Sequence, residues 1–64
     1  MYKNNIKKYR KEKGMTLKEL SDKVGITAGY LCHLEKGSRK NPSVEVMKKI
    51  ADELEKNVAE IFFI

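Results

Sequence analysis

The sequence predicts an all-α domain of five short helices without a β-sheet. Three observations in the 64 residues support this prediction. Apolar residues recur at intervals of three and four, which is the helical spacing. No segment alternates apolar and polar residues for long enough to indicate a strand. Glycine, proline or a capping side chain separates the apolar segments, where it can end one helix or start the next.

The apolar residues predict which face of each helix is buried. In the first helix, Ile6 and Tyr9 share a face with Arg10. Ile26 is expected to be buried in the joint between the second and third helices. We expect one core to which every helix contributes, rather than a cofactor pocket. The inward residues of the other helices are Leu17, Leu20 and Val24; Leu31 and Leu34; Val44, Met47, Ile50, Ala51 and Leu54; and Val58, Ile61 and Phe62.

Short polar side chains and glycines mark the ends of the helices. Thr16 and Glu19 are spaced as a capping box, in which each side chain accepts a hydrogen bond from the other residue's backbone N–H. The same spacing recurs at Asn57 and Glu60 and opens the short fifth helix. Thr27 is the predicted N-cap of a helix from Ala28 to Lys36, and Ser43, which follows Pro42, is the predicted N-cap of the fourth helix. The predicted helix ends are Gly14, Gly25 and Gly37.

Basic residues are concentrated in two segments, while the charged residues among 50–64 are mainly acidic. Fourteen Lys and Arg against nine Asp and Glu give a formal net charge of +5. Charge segregated in this way favours a polyanionic partner, with nucleic acid as the first candidate. A solvated lysine surface is the plainer interpretation of the N-terminal group. The two groups are Lys3, Lys7, Lys8, Arg10, Lys11 and Lys13, and Lys36, Arg39 and Lys40.

The composition argues against several other classes of protein. A single cysteine, Cys32, and a single histidine, His33, exclude an internal disulfide and a multi-cysteine zinc site, so neither a metal nor a cofactor is predicted. A lone cysteine fits a reducing compartment, and we expect the cytoplasm. No apolar segment approaches the roughly 18 residues of a membrane span, and no secretory signal is recognisable. An enzyme is not expected, because paired carboxylates, a Ser/His/Asp set and a phosphate-binding glycine loop are absent from the sequence.

The joint between the second and third helices is unusually short. Gly25-Ile26-Thr27 connects two helices of about eight residues, which suits a crossing of about 90–120° as in a helix-turn-helix. Gly25 is free to adopt the positive φ that such a turn uses. The third helix would then project with its N-terminal half uncovered, and an α-helix of this kind fits the DNA major groove.

A resemblance to a known family rests on five segments of the sequence. They are Ile6-x-x-Tyr9-Arg10-x-x-x-Gly14, Thr16-Leu17-x-x-Leu20-x-x-x-Val24-Gly25-Ile26-Thr27, Tyr30-Leu31-x-x-Leu34-Glu35-x-Gly37, Asn41-Pro42-Ser43 and Ile50-Ala51-x-x-Leu54. In this order and spacing they resemble the Cro/CI-type (XRE-like) helix-turn-helix regulators of bacteria and phages. The DNA-binding domain of Sin-type repressors is the most similar within that family. The resemblance implies one domain over residues 1–64 with the five-helix, lambda-repressor-like fold and its helix-turn-helix at about 17–36.

The resemblance also implies a function. A member of this family binds double-stranded DNA with a sequence preference, as a transcriptional regulator and most simply as a repressor, with its third helix in the major groove. Base contacts are implied for Ala28, Gly29, Tyr30 and His33. Phosphate contacts are implied for Lys7, Leu17, Lys18, Thr27, Lys36, Arg39, Lys40 and Asn41, with Leu17 and Lys18 using backbone N–H groups. Arg10 and Glu35 match a partly buried structural ion pair between the first and third helices.

Several positions depart from the family pattern or have a second interpretation. Ala28 and Gly29 occupy positions where relatives often carry long side chains, so base specificity must come from Tyr30, His33 and DNA shape, or be low. Leu17 replaces a common Gln, and Glu55-Lys56 replaces a small, apolar joint. The alternative for His33 is an exposed residue without a DNA contact, and Tyr30 either covers the side of the third helix or binds a phosphate. Cys32 either fills space near the DNA or acts as a redox switch.

The end of the chain suggests a partner. Phe63 and Ile64 follow the last helix, and they either fold back on the core or, with Ile61 and Phe62, form a two-fold dimer contact. A homodimer would match a palindromic operator. The alternative function is a protein-interaction module, such as an antitoxin or antirepressor partner with the same fold. Single-stranded RNA binding is disfavoured, because no aromatic platform is present beyond Tyr30.

Overall fold

Five helices build the part of the chain that the computed structural model describes, which is residues 4–37 and 42–62. Within these ranges there is no β-strand, so the all-α prediction is confirmed. No helix in the described ranges has the length and apolar character needed to cross a membrane. The helices are α1 (Ile6–Glu12), α2 (Leu17–Val24), α3 (Ala28–Lys36), α4 (Val44–Leu54) and α5 (Val58–Phe62).

The capping side chains predicted from the sequence lie at the helix starts. Thr16 Oγ1 accepts a hydrogen bond from the Glu19 N–H at 3.0 Å, and Glu19 Oε1 accepts one from the Thr16 N–H at 2.8 Å. Asn57 and Glu60 form the same reciprocal pair at α5, with distances of 2.9 and 3.3 Å. These bonds satisfy N–H groups that have no partner inside a helix. Thr27 and Ser43 cap α3 and α4 through their hydroxyl oxygens.

The helix α4 ends, like α2 and α3, at a residue with a positive φ, but this residue is not a glycine. Gly25 and Gly37 end α2 and α3 in the left-handed region, at φ of 84° and 75°. Glu55 adopts the same region at φ 57° without being a glycine, which costs roughly 1–2 kcal/mol because its Cβ crowds the backbone. The Lys13 ammonium group forms an ion pair with the Glu55 carboxylate, and Lys56 Nζ lies 4.9 Å from the centre of the Tyr9 ring. Contacts with α1 and its end therefore hold the polar joint in place.

One hydrophobic core joins all five helices. Residues from every helix lie in it, and Ile26 in the joint packs against it together with Tyr9, Leu17, Val58 and Phe62. Arg10 is buried as a whole residue, and the side chain of its partner Glu35 is nearly buried as well. The buried apolar residues are Ile6, Leu20, Val24, Leu31, Leu34, Ile50, Ala51, Leu54 and Ile61.

The prediction that Val44 belongs to the core is wrong. Val44 is 65% exposed, while Val46 packs against the core in its place. Around the helix, Val44 lies about 20° from buried Ala51 and Val46 about 40° from buried Ile50, so helical spacing alone does not decide between them. Packing against the other helices covers Val46 and leaves Val44, the first residue of α4, exposed. Met47, which was predicted on the same stripe, is half-buried.

Two asparagines that the sequence pattern did not single out fasten the start of α1. Asn4 Oδ1 accepts a hydrogen bond from the Ile6 N–H at 3.1 Å, and Asn4 Nδ2 donates to the Leu34 carbonyl at 2.7 Å. The Asn5 N–H donates to the Ile61 carbonyl at 2.8 Å, and its side-chain amide donates to the Glu60 carbonyl at 3.0 Å. The segment before α1 thus links α3 with α5.

Candidate nucleic-acid interface

The outward face of α3 is a row of solvent-exposed residues. Gly29, His33 and Lys36 are spaced i, i+4 and i+7, so they lie on one side of the helix, and all three are exposed. Leu31 and Leu34 on the opposite side are 0% and 2% exposed. We call Gly29, His33 and Lys36 the outer stripe of α3. An added Cβ at Gly29 would meet no atom of the described chain within 4 Å, so the stripe is open to a partner at its leading end.

The leading end of α3 has polar groups directed away from the core. Thr27 is exposed, and its Oγ1 accepts a hydrogen bond from the Tyr30 N–H at 3.1 Å. The hydroxyl proton and the N–H groups of the first two helical residues are not used by this cap. Ala28 is half-buried. Tyr30 is also half-buried and packs against the core.

The start of α2 offers backbone donors rather than side chains. The capping box uses the N–H groups of Thr16 and Glu19, which leaves those of Leu17 and Lys18 at the helix start. The Leu17 side chain packs against the core, so only the backbone of this residue can bind an anion there. The Lys18 ammonium group pairs with Asp22 Oδ2 at 3.0 Å, one turn further along α2.

A bidentate ion pair fixes α3 against α1. Arg10 Nε and Nη2 donate to Glu35 Oε2 and Oε1 at 2.7 and 3.2 Å. Arg10 Nη1 also donates to the Met15 carbonyl at 2.9 Å, so the same guanidinium holds the joint before α2. The two side chains are only 11% and 7% exposed. This geometry combines charge with two parallel hydrogen bonds, and it sets the position of α3 relative to the start of α2.

The charges around α3 and the start of α2 are mixed. Lys7, Lys18 and Lys36 are exposed cations, and Arg10 neutralises the carboxylate of Glu35. Glu19 is an exposed carboxylate at the start of α2. The hydrogen bonds from the backbone N–H and the side chain of Thr16 lower the pKa of Glu19 below its ordinary value of 4.5, with a smaller contribution from the Lys23 charge.

The structure brings some of the residues named from the sequence together and leaves others apart. It places Gly29 and His33 with Lys36 on the outer stripe, and Lys7 on the exposed side of α1. Three predicted phosphate contacts, Arg39, Lys40 and Asn41, lie outside the described residues, as do Phe63 and Ile64 of the predicted dimer contact.

The described residues show no cluster suited to a metal ion. They include no group of three His, Cys, Asp or Glu side chains that could hold one. Cys32 is a half-buried free thiol.

Sequence reasoning missed two contacts of this region. The Lys18–Asp22 pair has a readable signal, because oppositely charged residues at i and i+4 face each other on a helix. The bond from Arg10 to the Met15 carbonyl has none, since any residue presents a backbone carbonyl.

Comparison with known families gives a match over nearly the whole chain. A family model described as "Helix-turn-helix" matches residues 6–61. The transcriptional regulator SinR of Bacillus subtilis is 42% identical over 53 residues, which are 83% of this chain and 48% of SinR. The regulator SlrR of the same organism is 39% identical over 57 residues, which are 89% of this chain and 38% of SlrR. The chain therefore spans about half the length of SinR and less of SlrR.

Solved structures resemble this chain in fold as well as in sequence. A crystal structure of SinR, the master regulator for biofilm formation, in complex with DNA has a TM-score of 0.78 to this chain. The identity is 42%, and the alignment covers 83% of this chain and 84% of the SinR chain. The five-helix arrangement is thus that of a known DNA-bound domain.

Proposed function

Since this chain belongs to the Cro/CI-type helix-turn-helix family, we propose that it binds double-stranded DNA as a transcriptional regulator, with α3 in the major groove. The observation that carries the proposal is the open outer stripe of α3. A helix can enter the groove only if its leading end and one side are free of the rest of the domain. Gly29 and His33 meet this condition, because both are exposed and lie one turn apart.

In this proposal, residues in the first two turns of α3 face the bases. His33 reads base edges, since an imidazole can donate or accept a hydrogen bond. Ala28, Gly29 and Tyr30 complete the base-facing surface, where the Ala28 methyl group can pack on a thymine methyl group. Because neither Ala28 nor Gly29 can form a bidentate base contact, DNA shape contributes to the sequence preference.

Phosphate contacts position the domain on the duplex. The donors are the Thr27 hydroxyl, the N–H groups of Leu17 and Lys18 and the ammonium groups of Lys7 and Lys36. Arg39, Lys40 and Asn41 are proposed as further contacts on the sequence resemblance alone. The Arg10–Glu35 ion pair supports this set indirectly, because it holds α3 and the joint before α2 on the same guanidinium.

The proposal extends to the domain organisation, location and mode of action of the protein. Residues 1–64 form one DNA-binding domain of a cytoplasmic, nucleoid-associated protein without enzymatic activity. Occupation of an operator excludes the polymerase, so the regulator acts as a repressor. The transcriptional regulators similar to this chain favour this function over a protein-interaction module.

A homodimer would suit a palindromic operator. Two copies related by a two-fold axis place their α3 helices about 34 Å apart, which is one turn of DNA. The proposed contact consists of α5 with Phe63 and Ile64. Within the described part of this contact, Ile61 is buried in the domain, Phe62 is half-buried, and Ala59 and Glu60 are exposed. The surface that α5 offers to a second copy therefore consists of its exposed and half-buried residues.

The test is a competition binding assay with random genomic fragments at two salt concentrations. The proposal predicts that one sequence is enriched and that log K falls linearly with log salt concentration. Recovery of all fragments in proportion to their input, at both salt concentrations, would contradict sequence-preferring binding. Sedimentation of the chain with and without the enriched duplex then tests the dimer.

A further inference from the structure

The start of α2 already holds an anion that belongs to the protein. The carboxylate of Glu19 lies in the first turn, where Oε1 accepts a hydrogen bond from the Thr16 N–H at 2.8 Å. Helix starts attract negative charge, because unpaired N–H groups and the helix dipole point there. The proposed DNA contact uses the same helix start, through the N–H groups of Leu17 and Lys18.

We infer that Glu19 limits the affinity of this chain for DNA by repelling the phosphate that binds at the start of α2. The inference rests on the proposed function, because it requires a duplex at this surface. A phosphate at the Leu17 and Lys18 N–H groups would lie within about one helical turn of the Glu19 carboxylate. Both groups are anionic at neutral pH, so each disfavours the other.

Glu19 has no ion-pair partner among the described residues, and the charge of Lys23, one turn further along α2, is only the smallest of the effects on its pKa. Among the described carboxylates of α2 and α3, Asp22 pairs with Lys18 and Glu35 pairs with Arg10. Glu19 has hydrogen bonds with Thr16 in place of an ion pair. The cation nearest to Glu19 in the sequence, Lys18, has its ammonium group 3.0 Å from Asp22 Oδ2, so it is directed along α2 rather than to the helix start.

The consequence concerns affinity rather than specificity. Every duplex presents the same phosphates, so repulsion by Glu19 weakens preferred and non-preferred sequences by the same factor. Such a residue shortens the time that the protein spends on any DNA, and it leaves the ratio between sites unchanged. The stabilising role of Glu19 in the capping box can be separated from this effect, since Gln forms the same cap without a charge.

The experiment compares Glu19→Gln with Glu12→Gln. Glu12 is an exposed carboxylate at the end of α1, outside the proposed DNA and dimer contacts, so both variants lose one exposed carboxylate. Dissociation constants are measured for the wild type and both variants on the enriched duplex and on a shuffled duplex of equal length. Thermal unfolding, followed by circular dichroism, establishes that both variants remain folded.

The expected result is that Glu19→Gln binds both duplexes about three- to tenfold more tightly than Glu12→Gln, with a smaller difference at higher salt. Equal dissociation constants for the two variants, with normal binding by the wild type, would overturn this inference alone. A gain confined to the enriched duplex would also overturn it, because phosphates do not distinguish sequences. Failure of the wild type to bind either duplex would overturn the proposed function, and this inference with it.

Discussion

The two faces of α3 are built in opposite ways. On the inward face, Leu31 and Leu34 are buried and Glu35 is held by two hydrogen bonds from Arg10. On the outward face, Gly29 and His33 are exposed and contribute little packing. One nine-residue helix thus has its packing residues on one face and its exposed residues on the other, as the helical period dictates. Substitutions on the two faces should therefore change different measured quantities.

The largest expected effect is on the inward face. Glu35→Gln removes the charged partner of Arg10, and we expect a loss of about 3 kcal/mol in the free energy of unfolding, because a nearly buried charge is left unpaired. The double variant Arg10→Met/Glu35→Leu should recover most of this loss, since apolar side chains of similar size need no partner. Urea denaturation measures both. Equal stability of Glu35→Gln and the wild type would show that solvent screens the pair.

The outward face should respond in DNA binding with little change in stability. His33→Ala should cost about 1–3 kcal/mol of binding at the preferred sequence and relax the preference at one position, as expected for a base contact. Lys36→Ala should weaken all duplexes alike and reduce the salt slope by about one, as expected for a phosphate contact.

Lys48→Ala is the matched control for Lys36→Ala, because Lys48 is an exposed lysine of α4 outside the proposed contact set. Titrations of the same duplexes at several salt concentrations make the comparison. A Lys48 variant with the same loss as the Lys36 variant would mean that net charge, rather than a contact on the outer stripe, sets the affinity.

A smaller effect distinguishes the outer stripe from the turn that precedes α3. Gly29→Ala should stabilise the domain by up to about 1 kcal/mol, because the helical position is open and alanine favours a helix. Gly25→Ala should destabilise it by about 1 kcal/mol, because Gly25 has φ of 84°. Thermal unfolding measures both variants. The same sign for the two substitutions would contradict the assigned backbone conformations.

Local features of this fold were predictable, and contacts distant in sequence were not. The capping boxes depend on residues three apart, so Thr16 and Glu19 could be recognised directly. The exposure of Val44 could not, because α4 has apolar residues at 44, 46 and 47 and only its packing against other helices selects the buried stripe. The bond from Asn4 to Leu34 spans 30 residues and leaves no local pattern.

The candidate site was predictable to the extent that one helix face defines it. The spacing of Gly29, His33 and Lys36 places them in one row whatever the rest of the chain does. The pairing of Arg10 with Glu35 came from the family resemblance, since helical periodicity indicates only that both point inward. Contacts with DNA depend on a partner whose sequence the chain does not encode, so their assignment stays a prediction.

The most direct test of the central claim is an NMR titration of the chain with its enriched duplex. If the outer stripe of α3 enters the groove, the largest changes in amide shifts should fall on residues 27–30, on His33 and Lys36, and on the N–H groups of Leu17 and Lys18. Changes confined to α4 and α5, with α3 unaffected at saturation, would contradict the claim.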